Sequence, residues 1–110
     1  MQARDRQVAE NEVRFRALNE RLKDSGVAWE GHEGVLSLVC ECGDEDCLVA
    51  IWLTPGEYES VRADETQFAM VPGHFHPEFE DIVSEYEGWA LVRKRGEAAE
   101  IAAAGDPRSG

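Results

Sequence analysis

The chain has 110 residues, 43% apolar and 31% charged, with a formal charge of −12; that is one globular domain, too short for two independent cores and too rich in apolar residues for a disordered tail. The charge excludes nucleic acid as a direct partner, because a surface of that sign repels phosphates and gains nothing from counterion release. No apolar run reaches the eighteen or so residues of a membrane span, and the start MQARDRQVAENE lacks the apolar segment of a secretory signal, so a cytoplasmic, membrane-free protein is expected.

The acidity is uneven: residues 1–24 hold six basic and five acidic side chains, against five basic and eighteen acidic from residue 25 onward. An acidic body of this kind keeps a small domain soluble, and it also suits docking on a basic surface of a protein partner.

In chain order, Val8, Phe15, Leu18 and Leu22 recur at helical spacing and predict an amphipathic N-terminal helix within residues 1–25. It ends at Asp24-Ser25-Gly26, where glycine supplies a left-handed cap and Arg21 and Lys23 suit the negative end of the helix dipole. Its narrow stripe packs on the body of the protein or pairs two chains as a homodimer. Val35–Val39 and Leu48–Leu53 predict two strands running into and out of the cysteine segment, which makes that segment a β-hairpin tip. Thr54-Pro55-Gly56-Glu57 is a helix start with a hydroxyl cap, proline at the first helical position and an acid three residues after the cap; it predicts a helix over 55–63 burying Tyr58 and Val61.

Phe68–Val71 predicts a short strand closed by the turn pair Pro72-Gly73, which delivers His74 and His76. Pro77 then opens an expected helix in which Phe79, Ile82, Val83 and Tyr86 repeat at helical spacing. Trp89–Val92 predicts a last strand ending in Arg93-Lys94-Arg95, a solvated basic cluster; residues 96–104 are alanine-rich and helical, and 105–110 form a disordered tail. The expected architecture is α+β: a small antiparallel or mixed sheet with flanking helices, the core spanning 29–95 within one domain over 1–104.

Chemistry concentrates in Cys40-Glu41-Cys42-Gly43-Asp44-Glu45-Asp46-Cys47. Three cysteines is an odd count that no closed disulfide set absorbs, and a reducing compartment leaves thiols free to bind metal. A tight turn between strands brings thiolates to the ~2.3 Å that zinc needs, and glycine after the second cysteine lets backbone N–H groups point at the sulfurs. Three thiolates leave one vacancy in a tetrahedron. Of the three histidines, His74 is fixed by a Pro-Gly turn and ranks first, followed by His76 beside Pro77 and His32 in the approach loop. The predicted site is one structural Zn²⁺ held by Cys40, Cys42, Cys47 and His74, with iron not separated from zinc by spacing alone. The motifs of zinc deaminases (His-x-Glu with Pro-Cys-x-x-Cys) and metalloproteases (His-Glu-x-x-His) are absent, as is the nucleophile elbow Gly-x-Ser-x-Gly. A non-enzymatic interaction module is therefore expected, with a zinc-thiolate redox sensor and a small zinc hydrolase using Glu41, Glu45 or Asp46 as the alternatives.

The segments Asn11–Arg16, Cys40-Glu41-Cys42, Leu53–Arg62 and Val71-Pro72-Gly73-His74 together resemble a family of small zinc-binding proteins, with no assigned activity, common in high-GC Gram-positive bacteria. The resemblance runs over most of the chain. It implies that Cys40, Cys42, Cys47 and His74 belong to one pattern, and it implies no catalytic role.

Overall fold

The computed structural model describes residues 1–26 and 34–108. His32 lies outside the described residues. The elements are α1 (Ala3–Ser25), β1 (Leu36–Val39), β2 (Ala50–Leu53), α2 (Pro55–Arg62), β3 (Gln67–Met70), β4 (Glu80–Tyr86), β5 (Trp89–Lys94) and α3 (Gly96–Ala104). The α+β class is the expected one, with every strand pairing antiparallel, but the strands divide between two sheets: β1-β2, and β3-β5-β4. Among the described residues no helix is long and apolar enough to cross a membrane.

Local signals set most of these bounds. Gly26 ends α1 in the left-handed region at φ 81°, its N–H donating to the Lys23 carbonyl. Thr54 Oγ1 accepts the Glu57 N–H at 3.1 Å while the Glu57 carboxylate accepts the Thr54 N–H at 2.7 Å, a reciprocal capping box that starts α2 at Pro55. Leu36, Leu38, Ile51 and Leu53 alternate inward from the β1-β2 hairpin and meet Tyr58 and Val61 of α2 and Phe68, Met70, Ala90 and Val92 of the second sheet. Cys40 and Cys42 lie in this same core.

Four expectations are corrected. The segment from Pro77 to Tyr86 is not a helix: Glu80–Tyr86 is a strand that pairs with β5 through the two-residue turn Glu87-Gly88. A β-bulge between Ile82 and Ser84 breaks the two-residue alternation, so the apolar residues fall at 79, 82, 83 and 86 and imitate a helical repeat. The second strand begins at Ala50, because Leu48 sits at φ 43° and interrupts the extended backbone. The Arg93-Lys94-Arg95 cluster is not uniformly solvated: Arg93 and Arg95 face solvent and pair with Asp64 and Asp81, whereas the Lys94 side chain is fully buried. The tail is ordered as far as Arg108, since Asp106 is buried against Arg62 and Arg108 pairs with Glu20 and Glu59.

Helix α1 also departs from expectation in which face it buries. Val8 and Leu22 are partly buried against the core clusters, but the fully buried positions are Ala9, Asn11, Glu12, Arg16, Asn19 and Glu20. Each long polar side chain there has a dedicated partner. Arg16 donates to the carbonyls of Glu65 (2.6 Å) and Ala102 (2.7 Å) and lies over the Phe68 ring; Glu20 pairs with Arg62 and Arg108. Pairing of this kind offsets the cost of burying polar groups.

Candidate metal centre

Four backbone devices bring the ligands together, three of them within the cysteine loop. Cys40 directly follows β1, its N–H donating to the Val49 carbonyl at 2.8 Å to close the hairpin. Gly43 follows Cys42 at φ 82°, and the Asp44 N–H turns back onto the Cys42 sulfur, holding that thiol down. The same geometry recurs at the far end of the loop, where Leu48 follows Cys47 at φ 43° and the Val49 N–H is directed at the Cys47 sulfur. Leu48 is the only non-glycine in the left-handed region among the described residues, and it is 52% exposed. Burial of its side chain therefore does not explain the strain; aiming the next N–H at a sulfur does.

The fourth device is distant in sequence. β3 ends at Met70, and Val71-Pro72-Gly73-His74 forms a turn closed by the His74 N–H on the Val71 carbonyl (3.0 Å), with Gly73 at φ 90° as a type II turn requires. The turn does two things: the Val71 N–H donates to Cys40 Sγ at 3.1 Å, and His74 is projected over the cysteines. Cys40 Sγ thus accepts a backbone N–H, and the Asp44 and Val49 N–H groups favour the thiolate forms of Cys42 and Cys47, the arrangement that suits sulfurs around a cation.

His74 Nδ1 lies 3.6 Å from both Cys40 Sγ and Cys47 Sγ. A tetrahedral ion with metal–sulfur bonds of about 2.3 Å and metal–nitrogen bonds of about 2.05 Å places such a nitrogen and sulfur about 3.6 Å apart. One ligand atom from each of Cys40, Cys42, Cys47 and His74 lies within 4.8 Å of the others, so the four form a group able to hold a metal ion. Cys40 and Cys42 are buried, while Cys47 and His74 are half-buried and bring the site to the surface. A cavity of about 220 Å³ lined by Cys42, Asp44, His74 and His76 adjoins it. Without a cation the thiols share protons unequally. The hydrogen bond with Cys42, together with burial, pushes the Cys40 thiol far up; the same bond lowers Cys42 to about 5, and burial raises Cys47.

The remaining predicted residues have other work. His76 is not aimed at the sulfurs; its Nε2 is 2.8 Å from the Cys42 carbonyl oxygen and its ring stacks on Phe79, so it braces the loop as a donor. Glu41 is fully buried rather than solvated, and its carboxylate accepts the Ala69 N–H (2.9 Å) and the Asn19 side-chain amide (2.8 Å). Burial raises its carboxyl above the usual range. Glu45 and Asp46 are exposed.

Two asparagines of α1 escaped sequence reasoning. Asn11 donates to the Gly43 carbonyl at 3.0 Å, and Asn19 both donates to and accepts from the Val39 backbone at 2.9 Å, so α1 clamps the loop on either flank. Their separation of eight residues, two helical turns on one face, was the available signal, hidden because periodicity was sought among apolar side chains. A second convergence of possible ligands, Glu12, His76 and Glu80, surrounds an internal cation: Lys94 Nζ donates to both carboxylates.

No protein-family model, no curated protein and no solved structure matches the chain.

Proposed function

We propose that Cys40, Cys42, Cys47 and His74 hold one zinc ion in a non-catalytic site, and that the chain is a zinc-stabilised protein-interaction module. The observation that carries this reading is the convergence of three sulfurs with an imidazole nitrogen at the tetrahedral separation. A set of three thiolates and one imidazole suits zinc, which has no redox chemistry and no d-electron geometric preference. Four protein ligands complete a tetrahedron, leaving no position for the water that a hydrolase activates. Glu41, which lies between two of the ligands in sequence, is bonded on both oxygens and buried, so it is not free to act as a base. The charge of −12 supports docking of the acidic surface on a basic protein partner.

The test is thermal unfolding of tag-free protein with and without a chelator. Structural zinc contributes on the order of 10 to 16 kcal/mol of apparent folding free energy, so removal should unfold the domain. An apo form that melts at the holo temperature would contradict the proposal.

A redox-sensing role for the same site is the second reading, favoured by the half-buried Cys47 beside a cavity that reaches its neighbour Cys42. Peroxide titration with a zinc-release dye separates the two: a sensor loses metal at low oxidant, a purely structural site keeps it.

A further inference from the structure

Behind the metal loop lies a cluster that zinc binding does not use. Lys94 of β5, Glu12 of α1 and Glu80 of β4 have side chains with no solvent exposure, and the Lys94 amine donates to a carboxylate oxygen of each acid. The rings of Phe68 and Phe79 lie 4.5 and 5.3 Å from Nζ. One amine is thus shared by two carboxyl groups in a buried, aromatic-walled space.

The two acids are not equivalent. Glu80 Oε1 also accepts the His76 backbone N–H at 2.8 Å. Glu12 Oε2 has no hydrogen-bond partner, and burial pushes the Glu12 carboxyl well above the usual range, toward its neutral acid form. A buried ion pair repays its desolvation only when every lone pair is satisfied, and here one is not. A neutral carboxylic acid beside an amine whose proton has a second acceptor is the ground state for acyl transfer to nitrogen.

We infer that Lys94 and Glu12 condense to an intramolecular isopeptide bond, with Glu80 as the proton acceptor. The Lys94 ammonium gives a proton to the Glu80 carboxylate, and the freed lone pair attacks the Glu12 carboxyl carbon. The C–N bond forms, the C–OH bond breaks, and the hydroxyl leaves as water with the proton returned by Glu80. Loss of the remaining extra proton from nitrogen to Glu80 yields the neutral amide. One ammonium, one carboxylate and one carboxylic acid become one amide, one water and one carboxylic acid, so atoms and charge balance with no oxidant, nucleotide or metal. In water the amine and acid would simply form ions; held together and desolvated they react with the effective concentration of an oriented intramolecular pair, on the order of 10⁵ to 10⁸ M. The product ties α1 to β5 across 82 residues of sequence.

The inference is independent of the metal, and its test is the intact mass of the full-length protein under denaturing conditions. The mass should fall below that of the sequence by one water, about 18 Da. Digestion should give a branched peptide carrying both Glu12 and Lys94, with no tryptic cleavage after Lys94. Glu80→Gln removes the proton acceptor but keeps both reacting groups, and should restore the sequence mass; Lys94→Arg should do the same. The wild-type mass alone decides the matter even where a variant fails to fold. A wild-type protein at the full sequence mass, or an 18 Da deficit that persists in Lys94→Arg, overturns the inference.

Discussion

Gly43 and Leu48 occupy equivalent places, each one residue after a cysteine and each left-handed, yet they should differ in their response to substitution. A methyl group on Gly43 would lie 2.7 Å from the Val8 carbonyl oxygen and 2.8 Å from Glu12 Cγ, so Gly43→Ala meets helix backbone as well as an unfavourable φ. It should cost at least ~2 kcal/mol, read by denaturant unfolding of the metal-loaded protein. Leu48→Gly relieves ~1 kcal/mol of strain against a similar entropic cost in the unfolded chain, and should leave stability within about 1 kcal/mol of wild type. Gly43 was legible because glycine beside a cysteine advertises its backbone freedom. Leu48 was not, because nothing in a leucine announces a positive φ; the demand comes from the Cys47 sulfur, toward which the next N–H is turned. His74 was likewise readable from Pro72-Gly73, whereas the bracing role of His76 depends on where Cys42 folds to.

Helix α1 carries the main lesson at the level of elements. Its existence and its Gly26 cap could be read from pattern, but the buried face follows Asn11, Glu12, Arg16 and Asn19, whose partners are supplied by β1, the cysteine loop, the turn between α2 and β3, β5 and α3. Polar side chains of this kind become interior only when a tertiary partner exists, and no single-chain periodicity contains that partner. Asn19→Ala should therefore cost more than an exposed helix change. It strips the Val39 backbone and Glu41 of their partners, and we expect a loss of about 2–4 kcal/mol in chemical denaturation together with weaker metal retention. Thr54→Ala, which removes only a surface capping bond that was legible from Thr54-Pro55-Gly56-Glu57, should cost about 1 kcal/mol. The β4 strand was hidden for a different reason: its bulge places apolar residues at the spacing a helix would use. The Glu87-Gly88 pair, with Gly88 at φ 84°, is the turn signal that weighs against a helix there.

Taken whole, the molecule is an acidic body stitched by ion pairs that join its two ends. Asp106 and Arg108 return to α1 and α2 through Arg62, Glu20 and Glu59. Burial alone would raise Glu20 and Asp106, but hydrogen bonds from Arg108 and Arg62 outweigh it and hold both carboxyls below their ordinary values. A depressed carboxyl contributes stability that is complete above its unfolded pKa, about 4, and is lost as pH falls through the lower folded value. Stability should thus drop on acidification below about pH 4.5, and Asp106→Asn should show a shallower acid limb in urea midpoints measured between pH 5 and 3. The −12 charge was plain from composition, but this network was not, since pairing of Arg62 with the chain end is set by the fold.

The proposed module depends on the metal, and X-ray absorption at the zinc edge on protein purified without tag or chelator tests for it most directly. We predict one zinc per chain with three sulfurs at about 2.3 Å and one nitrogen at about 2.0 Å. A first shell dominated by oxygen and nitrogen, or a protein with no bound transition metal, would contradict it.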